Sequence, residues 1–198
     1  MKTSVAAIKV LEEQGAKFVF GIPGGQTLYF TDALRESNIR FIQTRHEGVA
    51  AGAADVYGRL TGKPGLCLAT TGPGATNLIT SIGGALRDSS PLIAFVFQNT
   101  LAGAGRGDAQ EADHEQLFSS IVKKYIPVRH PDAVVWAMRE AYRVAMTGRP
   151  GPVVVDFYRD VIEKGECDYT PQSVESYCAD SVSYTHLRAH ETPEHLVC

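Results

Sequence analysis

The stretch Gly65-Leu66-Cys67-Leu68-Ala69-Thr70-Thr71-Gly72-Pro73-Gly74-Ala75-Thr76-Asn77 joins an uncharged apolar run to a turn with two glycines around a proline. Residues 65–69 read as a strand continuous enough to be buried on both faces, the strand type of a parallel sheet. The glycines that follow allow backbone conformations and close approaches that a side chain forbids. A helical segment over 75–87 comes next. Strand, glycine turn and helix in that order put the turn at the carboxyl end of the strand, where open parallel sheets bind ligands.

Upstream, Arg40-Phe41-Ile42-Gln43 reads as another strand. Arg45-His46-Glu47 then opens a helix over 47–60 whose Ala50, Ala53, Ala54 and Tyr57 share one face. Small residues there let the helix lie close to its neighbour. Nearer the N-terminus, Thr3 is placed to cap a helix with apolar Val5, Ile8 and Leu11, ended by Gly15. Phe18-Val19-Phe20 reads as a strand running into Gly21-Ile22-Pro23-Gly24-Gly25, and residues 27–35 as a helix.

Downstream, Leu92-Ile93-Ala94-Phe95-Val96-Phe97 is a strand, and a loop with Gly103, Gly105 and Gly107 leads to a short helix near 114–120 and a strand near 124–128. Residues 131–147 are helical, with Val134, Met138, Ala141, Tyr142 and Ala145 in register and Gly148 past the end. Pro152-Val153-Val154-Val155-Asp156-Phe157 is the last strand. Helices between successive apolar strands require parallel pairing and right-handed crossovers. The predicted fold class is therefore α/β, a three-layer sandwich with a parallel, about six-stranded sheet flanked by helices.

The chain of 198 residues suffices for one well-buried domain and a tail. The regular alternation covers 1–163, and residues 164–198 show neither period, which reads as the start of a linker followed by a non-native tail. A net charge of -3 with no Lys/Arg cluster gives no footprint for nucleic acid. No apolar run approaches the roughly 20 residues of a membrane helix. Met1-Lys2-Thr3-Ser4 lacks the apolar core of a secretion signal. Cys67 stands alone in a strand-like run and the other three cysteines follow residue 166, so reduced thiols in a cytoplasmic protein are expected. His186, His190, His195 and Cys198 have the ligand types and spacings of small zinc sites. No CxxC accompanies them, and Thr192-Pro193 interrupts any helix that would align them, so no metal is assigned to them. The string Ser183-Tyr184-Thr185-His186-Leu187-Arg188-Ala189-His190-Glu191-Thr192 resembles read-through of a cloning or sequencing adapter.

Three features fall at carboxyl ends of strands: Gly21–Gly25, Glu47 and Thr71–Asn77. Singly, a glycine loop is a tight turn and a Glu at a helix start is favourable dipole chemistry. Their recurrence in order after successive strands points to a shared ligand. A lone acidic side chain suits the holding of one nitrogen of a cofactor better than hydrolysis. Gly103-Ala104-Gly105-Arg106-Gly107 lacks the spacing and strand-to-helix setting of a dinucleotide fingerprint, and no Gly-x-x-x-x-Gly-Lys-Ser/Thr phosphate loop is present. The Cys and His residues make no nucleophilic dyad.

Residues 3–163 resemble the N-terminal pyrimidine-binding domain of thiamine-diphosphate enzymes, and most closely the acetolactate synthase group. The matching stretches are Phe20-Gly21-Ile22-Pro23-Gly24-Gly25, Arg45-His46-Glu47 and Gly72-Pro73-Gly74-Ala75-Thr76-Asn77-Leu78, continued by Asp88-Ser89-Ser90-Pro91-Leu92, Gln110-Glu111, Lys123 and Gly148-Arg149-Pro150-Gly151-Pro152-Val153. The resemblance implies that the Glu47 carboxyl hydrogen-bonds N1′ of the cofactor's aminopyrimidine and favours its imino tautomer, whose nitrogen then takes the thiazolium C2 proton. Desolvation around the bound ring would favour sharing that proton. It implies that Gly72, Pro73, Gly74 and Asn77 run beside the pyrimidine, and that Gly25 and Gln110 line the reacting end. Ser89 and Arg149 match positions that touch flavin (FAD) in acetolactate synthases, and Lys123 matches a substrate-channel position.

The resemblance further implies a 2-oxo-acid decarboxylase and carboligase that acts as a homo-oligomer with its active site at a subunit interface. Thiamine diphosphate's phosphates and a divalent metal, Mg²⁺, would be gripped by a C-terminal domain of the neighbouring subunit through a Gly-Asp-Gly…Asn motif. This sequence has no such motif, so it is expected to be a fragment without activity by itself. The alternative is a non-catalytic or split-subunit pyrimidine-binding module that functions only with a partner chain. Two departures bear on the substrate. Gln98-Asn99-Thr100-Leu101-Ala102 replaces a Pro-x-Arg pattern, and Ala109 stands where a phenylalanine precedes the matched glutamine, which would widen the acceptor pocket.

Overall fold

Six strands, β1 (Phe18–Gly21), β2 (Arg40–Gln43), β3 (Gly65–Ala69), β4 (Leu92–Gln98), β5 (Lys124–Val128) and β6 (Pro152–Tyr158), pair in parallel throughout. Their order across the sheet is β2-β1-β3-β4-β6-β5. The computed structural model describes residues 1–178. The register sets Cys67, Ala94 and Val154 in one row across β3, β4 and β6, and Leu68, Phe95 and Val155 in the next. Successive strand residues point to opposite faces, so one face collects bulky side chains and the other small ones.

The bulky face carries Leu66, Leu68, Ile93, Phe95, Phe97, Val155 and Phe157. It is covered by α1 (Thr3–Glu13), α2 (Leu28–Arg35), α7 (Ala133–Met146) and α8 (Arg159–Lys164). Phe30 of α2 sits against Phe95 and Phe97, with ring centroids 5.3 and 5.5 Å away. The small face, with Cys67, Ala69, Ala94, Val96 and Val154, is covered by α3 (Glu47–Thr61), α5 (Ile79–Asp88) and α6 (His114–Phe118). Small side chains on both partners let α3 lie close. A Cβ on Gly65 would stand 1.8 Å from the Ala54 carbonyl oxygen, and one on Gly58 2.3 Å from that of Pro91. The sheet and its two helical layers are the predicted three-layer α/β sandwich.

Four local expectations change. The Thr3 hydroxyl does not cap its own helix, because it donates instead to the carbonyls of Val161 (2.6 Å) and Gly165 (3.2 Å), tying α1 to the end of α8. The buried stripe of α3 is Ala50, Ala51, Ala54, Asp55 and Gly58. Ala53 and Tyr57 lie beside that stripe, half-exposed, and Tyr57 packs edge-on against Phe18 and Phe20. The helix expected over 75–87 is two pieces, α4 (Pro73–Thr76) and α5, broken at Asn77–Leu78. There the Asn77 carbonyl comes against Gly48, at 3.1 Å from where a Cβ would be. Finally, α8 follows β6 directly, and packing continues beyond it. Lys2 bridges Glu166 in antiparallel fashion, and Tyr169, Val174 and Tyr177 pack on the core. Among the described residues no helix is long and apolar enough to cross a membrane. His186, His190, His195, Cys198 and the adapter-like string lie outside the described residues.

Candidate functional site

After β1 the chain moves to β2 at one edge, and after β3 it moves toward β4 on the other side. The gap between β1 and β3 is therefore the topological switch point of the sheet, where the loops diverge and leave a crevice. The loops touch at its floor. A Cβ on Gly24 would lie 2.7 Å from Cβ and Oγ1 of Thr70, so only glycine admits this contact. The Thr70 hydroxyl donates to Gln26 Oε1 (2.7 Å), Gln26 Nε2 donates to Asn99 Oδ1 (2.9 Å), and Asn99 Nδ2 donates to the Ala109 carbonyl (3.0 Å). Loops after β1, β3 and β4 are thus laced together by side-chain amides, with Gly25 facing open space beside them.

Glu47 enters this crevice as the first residue of α3. His46 precedes it in extended conformation, and its Nδ1 accepts the Gly48 N–H at 3.0 Å, which satisfies one free donor of the helix start. The Glu47 side chain is half-buried. Its Oε2 accepts from Asn77 Nδ2 at 2.9 Å, the carboxylate's one protein partner among the described residues. The break between α4 and α5 is what presents Asn77 to it. Gly74 lies alongside, where a Cβ would come within 3.5 Å of Glu47 Oε1 and 2.8 Å of Thr70 Cγ2. Gly72 has φ 53° and ψ -108°, outside the regions open to L side chains. A Cβ there would sit 1.9 Å from the Gln110 carbonyl oxygen, and Gln110 itself has a positive φ of 64°.

The structure therefore brings together Glu47, Gly72, Pro73, Gly74, Asn77, Gln110 and Gly25 at the carboxyl edge of the sheet. It sets Ser89, Arg149 and Lys123 apart, at the amino-terminal edge, beyond α5, whose ten residues span roughly 15 Å. There Arg149 Nε donates to Ser89 Oγ (2.6 Å) and its other nitrogen to the Arg87 carbonyl (2.9 Å). Lys123 Nζ donates to the Val144 and Thr147 carbonyls at the end of α7 (2.5 and 2.9 Å), and burial lowers its pKa.

Two features have partners that the sequence did not reveal. The glycine loop 103–107 aims its backbone N–H groups at a carboxylate of its own chain. Gly105 (2.5 Å), Gly107 (2.7 Å) and Asp108 (3.1 Å) donate to Glu111, and these bonds, that of Gly105 first, hold the Glu111 carboxyl below its usual range. The second is a buried polar group around Asp156. His114 Nδ1 and Asp156 Oδ2 are 3.0 Å apart, both residues are wholly buried, and His114 Nε2 faces the Gly72 N–H at 3.2 Å. Tyr125 and Gln98 also donate to Asp156 Oδ2. Burial, then the Asp156 charge, pushes the Tyr125 phenol far above its ordinary value. A cavity of about 620 Å³ opens beside this group, with Asn99, Thr100, Gln110 and Tyr158 also in its wall. The one available clue was a lone Asp in an otherwise apolar strand, which must find partners when buried.

These residues fit the aminopyrimidine end of thiamine diphosphate. One carboxylate oxygen of Glu47, Oε2, is fixed by Asn77, and the other, Oε1, near Gly74, has no hydrogen-bond partner among the described residues and is free to take a ring N–H. The absence of side chains at Gly72 and Gly74 lets the turn pack against Gln110 and Thr70 beside Glu47. Among the described residues no three His, Cys, Asp or Glu side chains group as metal ligands.

Comparison with known proteins agrees. Residues 1–117 match the family model described as thiamine pyrophosphate enzyme, N-terminal TPP binding domain. The chain is 46% identical over 168 residues to a probable acetolactate synthase large subunit of Methanocaldococcus jannaschii, covering 85% of this chain and 28% of that protein. It is 39% identical over 199 residues to the acetolactate synthase large subunit of Corynebacterium glutamicum, covering 100% of this chain and 32% of that protein. It is 40% identical over 183 residues to the acetolactate synthase isozyme 1 large subunit of Escherichia coli K12, covering 91% and 33%. The chain thus spans about a third or less of the length of these relatives. With the glycine turns and Glu47 inside the matched segment, the chain belongs to the thiamine pyrophosphate enzyme family and carries its N-terminal cofactor-binding domain.

Proposed function

We propose that this chain is the N-terminal part of a thiamine-diphosphate-dependent 2-oxo-acid decarboxylase and carboligase of the acetolactate synthase kind. When bound, thiamine diphosphate supplies a thiazolium carbon that becomes a nucleophile and takes up the electron pair left when a 2-oxo acid such as pyruvate loses CO₂. Glu47 accepts and returns a proton at N1′ of the aminopyrimidine. Asn77 keeps the Glu47 carboxylate turned toward the ring, and the Gly72–Gly74 backbone forms the surface on which the ring lies. Gly25 and Gln110 face the reacting end, with Ala109 leaving room for the acceptor. The diphosphate and Mg²⁺ are held by protein outside this chain, across a homo-oligomer interface. Arg149 and Ser89, already paired with each other, are the candidate contacts for FAD, and Lys123 is the candidate for the substrate channel.

The observation that carries this reading is the Glu47 carboxylate at the head of α3, with Oε2 fixed by Asn77 and Oε1 without a hydrogen-bond partner among the described residues. Its test is Glu47→Gln in the full-length protein, with deuterium exchange at thiazolium C2 followed by NMR. A positioned acid–base group contributes typically ~10²–10⁴-fold, so exchange should slow by about that factor. Exchange at the parent rate would overturn the role.

A further inference from the structure

The group around Asp156 meets the glycine turn through His114, whose Nε2 faces the Gly72 N–H. A backbone N–H can only donate, so the Gly72 N–H facing His114 Nε2 at 3.2 Å requires a lone pair on that nitrogen. The imidazole proton is then on Nδ1, where it is donated to Asp156 Oδ2 at 3.0 Å. The carboxylate's orientation is equally determined. His114, Tyr125 and Gln98 (3.2 Å) all donate to Oδ2, while Oδ1 is buried without a protein partner. Asp156 sits in β6 between Val155 and Phe157, both wholly buried. An apolar side chain there would avoid the desolvation cost that a buried carboxylate carries. What the carboxylate does with that cost is fix the tautomer and tilt of one histidine, whose other nitrogen holds one backbone N–H.

That N–H belongs to the residue on which the turn depends. Gly72 holds its unusual conformation against the Gln110 carbonyl, and α4 and Asn77 follow immediately. We propose that His114, held by Asp156, is the positioning residue of the glycine turn, fixing Gly72 by accepting its N–H and thereby setting the ring-facing backbone and the Asn77 amide that orients Glu47. The proposal rests on the reading of the site as the aminopyrimidine pocket.

Two substitutions divide the histidine's two contacts. In His114→Asn the short amide can reach Asp156 but not Gly72. In His114→Gln the longer amide brings an oxygen to the Nε2 position and can accept the Gly72 N–H. Both keep a polar group at the site, so neither leaves Asp156 facing an apolar wall. The full-length protein is measured by hydrogen–deuterium exchange of the peptide spanning residues 71–77 and by C2 exchange of bound thiamine diphosphate, with Glu47→Gln alongside. His114→Asn should speed amide exchange in the turn and slow C2 exchange, each by about tenfold, the scale of one buried hydrogen bond lost. His114→Gln should stay within about threefold of the parent in both, on the same scale. Parent-like exchange in His114→Asn, equal impairment in the two variants, or the reverse order would overturn the proposal. If Glu47→Gln alone leaves C2 exchange untouched while His114→Asn still loosens the turn, the cofactor reading fails and the positioning role stands.

Discussion

Gly72 and Gly62 both have positive φ, 53° and 67°, but for different structural reasons. Gly62 ends α3 in the left-handed helical region, and a Cβ there would meet nothing within 4 Å. Gly62→Ala should therefore cost only the left-handed backbone penalty, about 1–2 kcal/mol. Gly72 has a ψ of -108° that the left-handed well does not include, and its Cβ would collide with the Gln110 carbonyl at 1.9 Å. Gly72→Ala should cost more than about 3 kcal/mol, since strain and the displaced loop add, and should also weaken thiamine diphosphate binding. Denaturant unfolding of the two variants with calorimetric cofactor titration checks this, and equal costs would refute the distinction. The dipeptide pattern around Gly72 showed that a glycine was needed in the turn. It could not show that Gln110, distant in sequence, is the atom group that needs it, nor that His114 supplies the acceptor.

Glu140 shows how one element is docked to another. From α7 its carboxylate reaches Arg143 (2.7 Å) on the same helix and Lys124 (2.7 Å) on β5. The Arg143 guanidinium first, and Lys124 with it, hold the Glu140 carboxyl down to about 2, against burial, which opposes them. A carboxyl with a depressed folded value adds stability that is present above its unfolded range and is lost as pH falls through the folded value. The contribution should be complete at about pH 6 and disappear between about pH 4.5 and about pH 2. Glu140→Gln should flatten that part of the stability curve while leaving its slope at higher pH unchanged. Urea midpoints at about pH 6 and about pH 3 test it, and an unchanged difference between them would refute it. At this scale the sequence was most legible where a single pattern dominates. β2, β3 and β5 have the expected bounds, and β1, β4 and β6 each extend one residue beyond them, because apolar runs between turn residues leave little choice. Legibility fell where a tertiary contact overrides the local pattern. The helix over 75–87 breaks because Asn77 is drawn to Glu47 and Gly48, and the Thr3 hydroxyl prefers carbonyls from the far end of the domain.

The whole molecule closes on itself through contacts that no period reveals. The Met1 ammonium donates to the Cys167 carbonyl (2.9 Å) and the Cys167 N–H to that of Met1 (3.0 Å). Glu13, at the end of α1, accepts from Arg139 of α7 (3.1 Å), the Tyr169 hydroxyl (2.8 Å) and the Gln172 N–H (2.9 Å). The Tyr177 ring meets Tyr142 edge-on at 6.5 Å. Residues 165–178 thus clasp α1 and α7 from outside, although by periodicity the regular domain ends at Glu163. Irregular segments have no repeating face, so their burial is invisible until the surface they cover is known. A chain ended after Glu163 would uncover Tyr142 and leave Glu13 and Arg139 without their outer partners. Each large side chain buried is worth about 1.5–3 kcal/mol, so this truncation should lower stability by on the order of 3 kcal/mol or more relative to a chain ended after residue 178. Urea unfolding of the two chains, followed by far-ultraviolet circular dichroism, measures the difference. Coincident curves would mean that the segment only rests on the domain. A loss of the expected size would make it the outer wall of the helical layer that carries α1, α2 and α7.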